Sequence, residues 1–150
     1  INLGVNPKIL TSALTLPIAQ RLVRKLCEFC KKEVSPKPED QRLIAEVVTS
    51  LQRKRPDITV PPSGKIWQAV GCDRCNNTGY QGRQGVFEAI FMDEAVAKAT
   101  LENPSEREIK NAARPQGILD MRQDGILKVL NGVTSLDELG RIIDLTEEII

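Results

Sequence analysis

Histidine is absent from all 150 residues. That excludes histidine general acid–base catalysis, Ser-His-Asp and Cys-His nucleophile systems, and every metal site built on an imidazole. Aromatic residues make up 3% of the chain, too few for a base-stacking platform. Neither sign of charge dominates, since 21 Lys and Arg against 20 Asp and Glu leave +1. A domain that grips nucleic acid through its phosphates is usually strongly basic, and this one is not. No apolar run reaches transmembrane length, and no signal-peptide pattern is present. A phosphate cradle is missing too. Gly64-Lys65 lacks the upstream glycine of a P-loop, and Ile66 stands where Ser or Thr is needed. The first residue is Ile1, and the chain is expected to be a fragment or a processed piece.

What is present is an ordinary globular composition, 41% hydrophobic and 27% charged, at a length of about one domain. It also holds four cysteines in two pairs, Cys27-Glu28-Phe29-Cys30 and Cys72-Asp73-Arg74-Cys75. A C-x-x-C turn lets two thiolates converge on one ion, and two such turns complete a tetrahedral sulfur site. With four sulfurs bound, no position remains for water or substrate, so a zinc ion there is expected to be structural. Disulfides and a thioredoxin-like redox pair are the alternatives. The chain has no secretory features, and a redox motif normally uses one C-x-x-C rather than two.

The pattern around the cysteines predicts a mixed α/β fold. Ile18, Ala19, Leu22, Val23 and Leu26 fit a helical face, but Pro17 marks a boundary with a short helix before it. Arg21 and Arg24 read as a solvated face. Pro38-Glu39-Asp40 suits a first helical turn, and Leu43, Ile44, Val47, Val48 and Leu51 give that helix an apolar face ending before Pro56. Ile66 to Val70 reads as a short strand delivering Cys72, with Trp67 as a local core residue. The glycines from Gly79 to Gly85 suit a knuckle whose amides point at sulfur. Asn76-Asn77-Thr78 matches a glycosylation sequon by chance.

Further on, Val86 to Phe91 is a strand candidate, and a helix after Asp93 carries Val96 and Leu101. Ser105-x-x-Glu108 and Ser135-x-x-Glu138 are capping boxes. The first opens a helix through Ala113, broken by Pro115 and Gly117. Ile118 to Leu130 reads as another helix, closed by Gly132. The second box opens a last helix with Leu139, Ile142, Ile143, Thr146 and Ile149 on or near one face.

Several separated stretches carry a family resemblance. Leu3-Gly4-Val5-Asn6-Pro7, then Ala19-Gln20-Arg21-Leu22-Val23-Arg24-Lys25-Leu26-Cys27-x-x-Cys30, resemble the traffic ATPases of type II secretion and type IV pilus assembly. So do Gly71-Cys72-x-x-Cys75-x-x-Thr78-Gly79-Tyr80-x-Gly82-Arg83-x-Gly85-Val86-Phe87-Glu88 and the stretch from Met121 to Leu139. The resemblance is to the assembly or export type, and it implies the C-terminal part of a P-loop ATPase core. Residues 1–26 would end that core, 27–84 would be a zinc-binding insertion, and 85–150 would hold a core strand and a helical end. It further implies a strand over Leu16 to Lys25 near Val86 to Phe91. Cys27, Cys30, Cys72 and Cys75 would hold structural Zn2+, while ATP and Mg2+ would bind upstream in the parent motor. Arg21, Arg24 and Arg83 match family positions without an assigned role. Expected partners are the ATPase core and neighbouring subunits of a homo-hexamer and an inner-membrane platform protein, with no nucleic acid. The expected location is cytoplasmic, peripheral to the inner membrane. The other classes are a zinc-ribbon nucleic-acid-binding module and a chaperone-type cysteine-rich domain, which usually carries more C-x-x-C repeats. The small apolar content of the insertion also predicts that metal loss disorders Cys27 to Gly82 while Ser105 to Ile149 stays helical.

Overall fold

The computed structural model describes residues 6–102 and 105–145. In chain order these form α1 (Pro7–Ala13), β1 (Ile18–Leu26), β2 (Lys32–Val34), α2 (Pro38–Lys54), β3 (Ile66–Gln68), β4 (Tyr80–Ala89), α3 (Glu94–Glu102), α4 (Glu106–Ala113), α5 (Met121–Leu130) and α6 (Leu136–Ile142). Two short 3-10 turns, Asp73–Cys75 and Arg114–Gln116, complete the set. The fold is mixed α/β. No described helix is long and apolar enough to cross a membrane.

The sheet content is two ribbons, β1 with β4 and β2 with β3. In the second, Lys32 faces Gln68 and Val34 faces Ile66 in antiparallel register. The segment from Ile18 to Leu26 is therefore a strand and not the helical face its spacing also allowed. Its partner β4 begins at Tyr80, ahead of the expected Val86, because the glycine-rich stretch extends rather than loops. The ribbon β2–β3 includes a strand that the sequence did not announce.

The chain divides into two compact units. One comprises the described residues of Ile1–Ala19 and Glu88–Ile118. Within it, Asn6 caps α1 by accepting the Lys8 N–H at 3.0 Å, with Pro7 preset for the first turn. The Asp93 carboxylate caps α3 through the Val96 N–H at 2.9 Å. Gln116 clamps Phe91 from both sides of its amide, accepting the Phe91 N–H at 2.9 Å and donating to its carbonyl at 2.8 Å. Of the two apolar residues read on this helix, Val96 is buried and Leu101 is exposed, and Thr100 is buried beside Val96 with its hydroxyl donating to the Val96 carbonyl at 2.8 Å.

The other unit comprises Gln20–Phe87 and the described residues of Leu119–Ile149, and it holds the main core. Val23 and Val86 come from the β1–β4 ribbon, Ile44 and Val47 from α2, and Ile66 from β3. Ile126, Val129 and Leu130 of α5 and Leu136 and Leu139 of α6 join the same cluster. Leu43 and Val48 are only partly buried beside it. The helix α5 starts at Met121, later than Ile118, because Asp120 forms a reciprocal capping box with Gln123. Gly125 lets α5 meet α6, since a Cβ there would lie 2.6 Å from Leu139 Cδ1. Ser135 caps α6 at the Glu138 N–H, 3.2 Å away. The helix stops at Ile142, and Ile143 turns extended. Thr146 and Ile149, placed on that helix from the sequence, lie outside the described residues.

The cysteine-bearing segment shares its core with α5 and α6, whereas α4 belongs to the other unit. The face of α2 that looked too small to stand alone is completed by α5 and α6.

Candidate metal centre

Cys27 follows directly on β1, and its turn is fixed at both ends. The Cys27 N–H donates to the Gly79 carbonyl at 2.9 Å, while the Cys30 and Lys31 amides return to the Cys27 carbonyl at 3.2 and 2.9 Å. The second cysteine pair sits on the 3-10 turn Asp73–Cys75, a few residues before β4. Cys75 and Asn77 donate to the Cys72 carbonyl at 3.1 and 2.9 Å. To close that loop, Asn76, Asn77 and Gly79 take left-handed backbone angles, with φ of 51°, 59° and 76°. Asn and Gly tolerate those angles best, which explains the Asn-Asn-x-Gly run. Gly71 has φ +115°, and a Cβ there would lie 2.7 Å from the Asn77 carbonyl oxygen.

The four Sγ atoms lie within 4.8 Å of one another. Cys27 and Cys72 are 3.9 Å apart, and Cys30–Cys75 and Cys72–Cys75 are each 3.8 Å. All four are free thiols. A tetrahedron of roughly 2.3 Å zinc–sulfur bonds has edges of about 3.8 Å, which these three spacings match while the others lie within 4.8 Å.

Amides surround the sulfurs as well. The Gly71 N–H points to Cys30 Sγ at 3.3 Å, and the Cys72 and Gly79 N–H groups both point to Cys75 Sγ at 3.2 Å. Such donors favour thiolate over thiol. Burial opposes ionisation of Cys75, but those two amides and the thiols of Cys72 and Cys30 outweigh it and hold Cys75 down at about 6. Burial pushes Cys30 up to about 11 against the single Gly71 amide. A soft cation among them would replace that mutual competition with four ionised ligands.

The centre is tied to the core by contacts the sequence did not reveal. Lys31 Nζ donates to the Gly132 carbonyl at 3.1 Å and stands 5.0 Å above the Trp67 ring. Trp67 in turn packs on Gly132, where a Cβ would come within 2.7 Å of the indole. The Leu26 N–H donates to the Val133 carbonyl at 2.8 Å, and Thr134 Oγ1 donates to the Arg24 carbonyl at 2.9 Å. The α5–α6 connection is thus bound to the root of the first cysteine turn.

The three arginines separate here. Arg21 is exposed and donates to the neighbouring Gln20 carbonyl at 3.1 Å, as a solvated face would. Arg83 is also exposed. Arg24 departs from that reading, because its Nε and Nη2 reach Glu138 Oε2 at 3.0 and 2.6 Å. The fully buried Glu138 side chain also accepts the Arg24 backbone N–H at 3.1 Å and Arg141 Nε and Nη2 at 3.1 and 2.9 Å. Burial works against its ionisation, yet the Arg141 and Arg24 donors prevail and hold it at about 2. The Ser-x-x-Glu pattern signals the helix cap but not this ion cluster. The structure spends Glu138 on the arginines rather than on the cap.

Known proteins resemble this chain along nearly all of it. The profile of the family described as Type II/IV secretion system protein matches residues 1–141. The Type IV pilus assembly ATPase PilB of Thermus thermophilus is 37% identical over 143 residues, which is 95% of this chain and 15% of that protein. Type II secretion system protein E of Aeromonas hydrophila is 38% identical over 141 residues, 94% of this chain and 26% of its own length. For PilB of Pseudomonas aeruginosa the identity is 37% over 142 residues, covering 95% and 23%. The chain spans about a quarter or less of each of these relatives.

Proposed function

The chain belongs to the type II/IV secretion system protein family, and from that premise we propose that it is the C-terminal zinc-binding region of a hexameric ATPase that powers type IV pilus assembly or type II secretion. The observation that carries this reading is the cluster of four cysteine sulfurs within 4.8 Å of one another, set at the root of the β1–β4 ribbon. Cys27, Cys30, Cys72 and Cys75 hold one zinc ion. Zinc there supplies a closed four-sulfur cross-link with no open coordination position. The chain's own residues do the rest, as the Gly71, Cys72 and Gly79 amides favour the ionised sulfurs and Lys31 ties the first turn to the α5–α6 connection.

Residues 1–26 end a P-loop core in this reading, residues 27–84 form its metal-bearing insertion, and residues 85–150 carry a further core strand and the helical end. ATP and Mg2+ are bound upstream in the parent motor. The region keeps a rigid geometry between the core, the neighbouring subunits and an inner-membrane platform protein, on the cytoplasmic side. The names of the relatives support the motor class. Metal analysis of the chain purified without chelator tests the centre. One zinc per chain is expected, and less than half an equivalent with four reactive thiols would overturn it. In a full-length parent, Cys72→Ser is expected to keep ATP binding and to lose pilus extension or secretion. Export at the normal rate by that variant would remove the coupling role.

A further inference from the structure

The cluster around Glu138 holds more donor capacity than one carboxylate can absorb. Five N–H groups converge on its two oxygens, from the Arg24 amide, Arg24 Nε and Nη2, and Arg141 Nε and Nη2. A carboxylate offers about four lone-pair sites. One guanidinium would be enough to neutralise the buried charge, and the second leaves a net positive cluster. Both arginines reach solvent, with side-chain exposures of 44% for Arg24 and 58% for Arg141. Nη1 of each is outside the bonds to Glu138. The Arg24 plane is fixed a second time, since its guanidinium carbon lies 4.1 Å from the Tyr80 ring centroid. Tyr80 itself is held by a 2.7 Å hydrogen bond between its hydroxyl and Ser135 Oγ.

A guanidinium pair already locked by a buried anion loses little side-chain entropy when it takes another ligand, and its forks match tetrahedral oxyanions. We propose that Arg24 and Arg141, preorganised by Glu138 and Tyr80, form a phosphate-binding site on the outer side of β1 and α6. A phosphate group fits better than a carboxylate because two forks ask for three or more acceptor oxygens. The group belongs either to a soluble phosphate ester or to the headgroup of an anionic lipid. This site uses none of the cysteines, and the zinc-loaded chain is the form in which it is tested.

The full chain, zinc-loaded and labelled with 15N arginine, is titrated with pyrophosphate and, in a second arm, with phosphatidylcholine vesicles containing phosphatidylglycerol. The arginine Nε–H resonances of positions 24 and 141 report the site. Saturable shifts are expected in at least one arm, weakened about tenfold in Arg141→Gln and less in Arg141→Lys, with the thermal midpoint of the lysine variant near that of the parent. Saturation by pyrophosphate identifies a soluble ligand, and saturation by vesicles alone identifies a lipid headgroup. The proposal is overturned if neither probe saturates, if sodium chloride at equal ionic strength reproduces the shifts, or if Arg141→Gln binds as the parent does.

Discussion

Stripping the metal with a strong chelator, or replacing Cys72 with Ser, is expected to loosen α5 and α6 along with the cysteine-bearing segment. Structural zinc contributes on the order of 10–16 kcal/mol of apparent binding energy in small modules near neutral pH. A unit of about 100 residues is typically stable by only 5–15 kcal/mol. The two quantities are comparable, so the unit has no reserve to stay folded in part. The core shows why the loss spreads. Ile44, Val47 and Ile66 come from the segment between the two cysteine pairs and pack in one cluster with Ile126, Val129 and Leu139. Each such side chain contributes roughly 1.5–3 kcal/mol by its burial, and three of them give about 5–9 kcal/mol that both halves share. Hydrogen exchange followed by mass spectrometry on the zinc-loaded and stripped chain reads the outcome peptide by peptide. Protection should fall over residues 27–87 and 121–142 together. Retained protection across Met121–Leu130 while Cys27–Gly82 exchanges freely would refute the reasoning and restore a separable insertion.

Glu138→Gln is expected to cost about 3 kcal/mol at pH 7, the free-energy equivalent of a carboxyl held at about 2 against 4.5 when unpaired. Because folding lowers this pKa, its contribution is complete above pH 4.5 and is lost as pH falls toward 2. Denaturant midpoints for the parent and variant should therefore converge over that window, and a pH-independent gap would exclude the ion cluster as the cause. Gly132→Ala combines a left-handed φ of +66° with a 2.7 Å approach to the Trp67 ring, and a loss of about 2 kcal/mol with a shifted tryptophan emission is expected. The purified chain should show no ATP turnover, since no P-loop is present to cradle the phosphates. Turnover that co-purifies through several columns with unchanged specific activity would contradict it.

The cysteine centre was the most legible part of the chain, because ligand type and C-x-x-C spacing are local properties. Helix starts were legible for the same reason at Pro38, Ser105 and Ser135. Periodicity left β1 open, because Ile18, Leu22 and Val23 fit one helical face, whereas in the strand Val23 is buried and Ile18 and Leu22 lie exposed on the opposite face. Only the resemblance pointed to a strand there. The start of α5 is written in the sequence as the capping pattern Asp120-x-x-Gln123, but the apolar Ile118 and Leu119 just before it extend the helical pattern toward the N-terminus. Arg24 with Glu138, and Lys31 with Gly132, were beyond reach altogether. They join residues more than 100 positions apart, and no spacing rule encodes such a pairing.

The first cysteine turn follows β1 at once, and the second closely precedes β4, so both thiol pairs stand at the same end of one antiparallel ribbon. This placement bears on how quickly the chain can fold. Pairing two strands whose partners are some 50–70 residues apart is a slow search, because loop closure must precede any gain from contact. A zinc ion captured early by all four sulfurs shortens the effective loop to a few residues and removes about 2 kcal/mol of that entropic barrier. The ribbon would then zip outward from the metal, as a hairpin zips from its turn, and α2 would dock afterward as a side branch. Refolding should accelerate about thirtyfold when zinc is present from the start rather than added late. The cysteines thus set a starting point for assembly as well as a cross-link in its product.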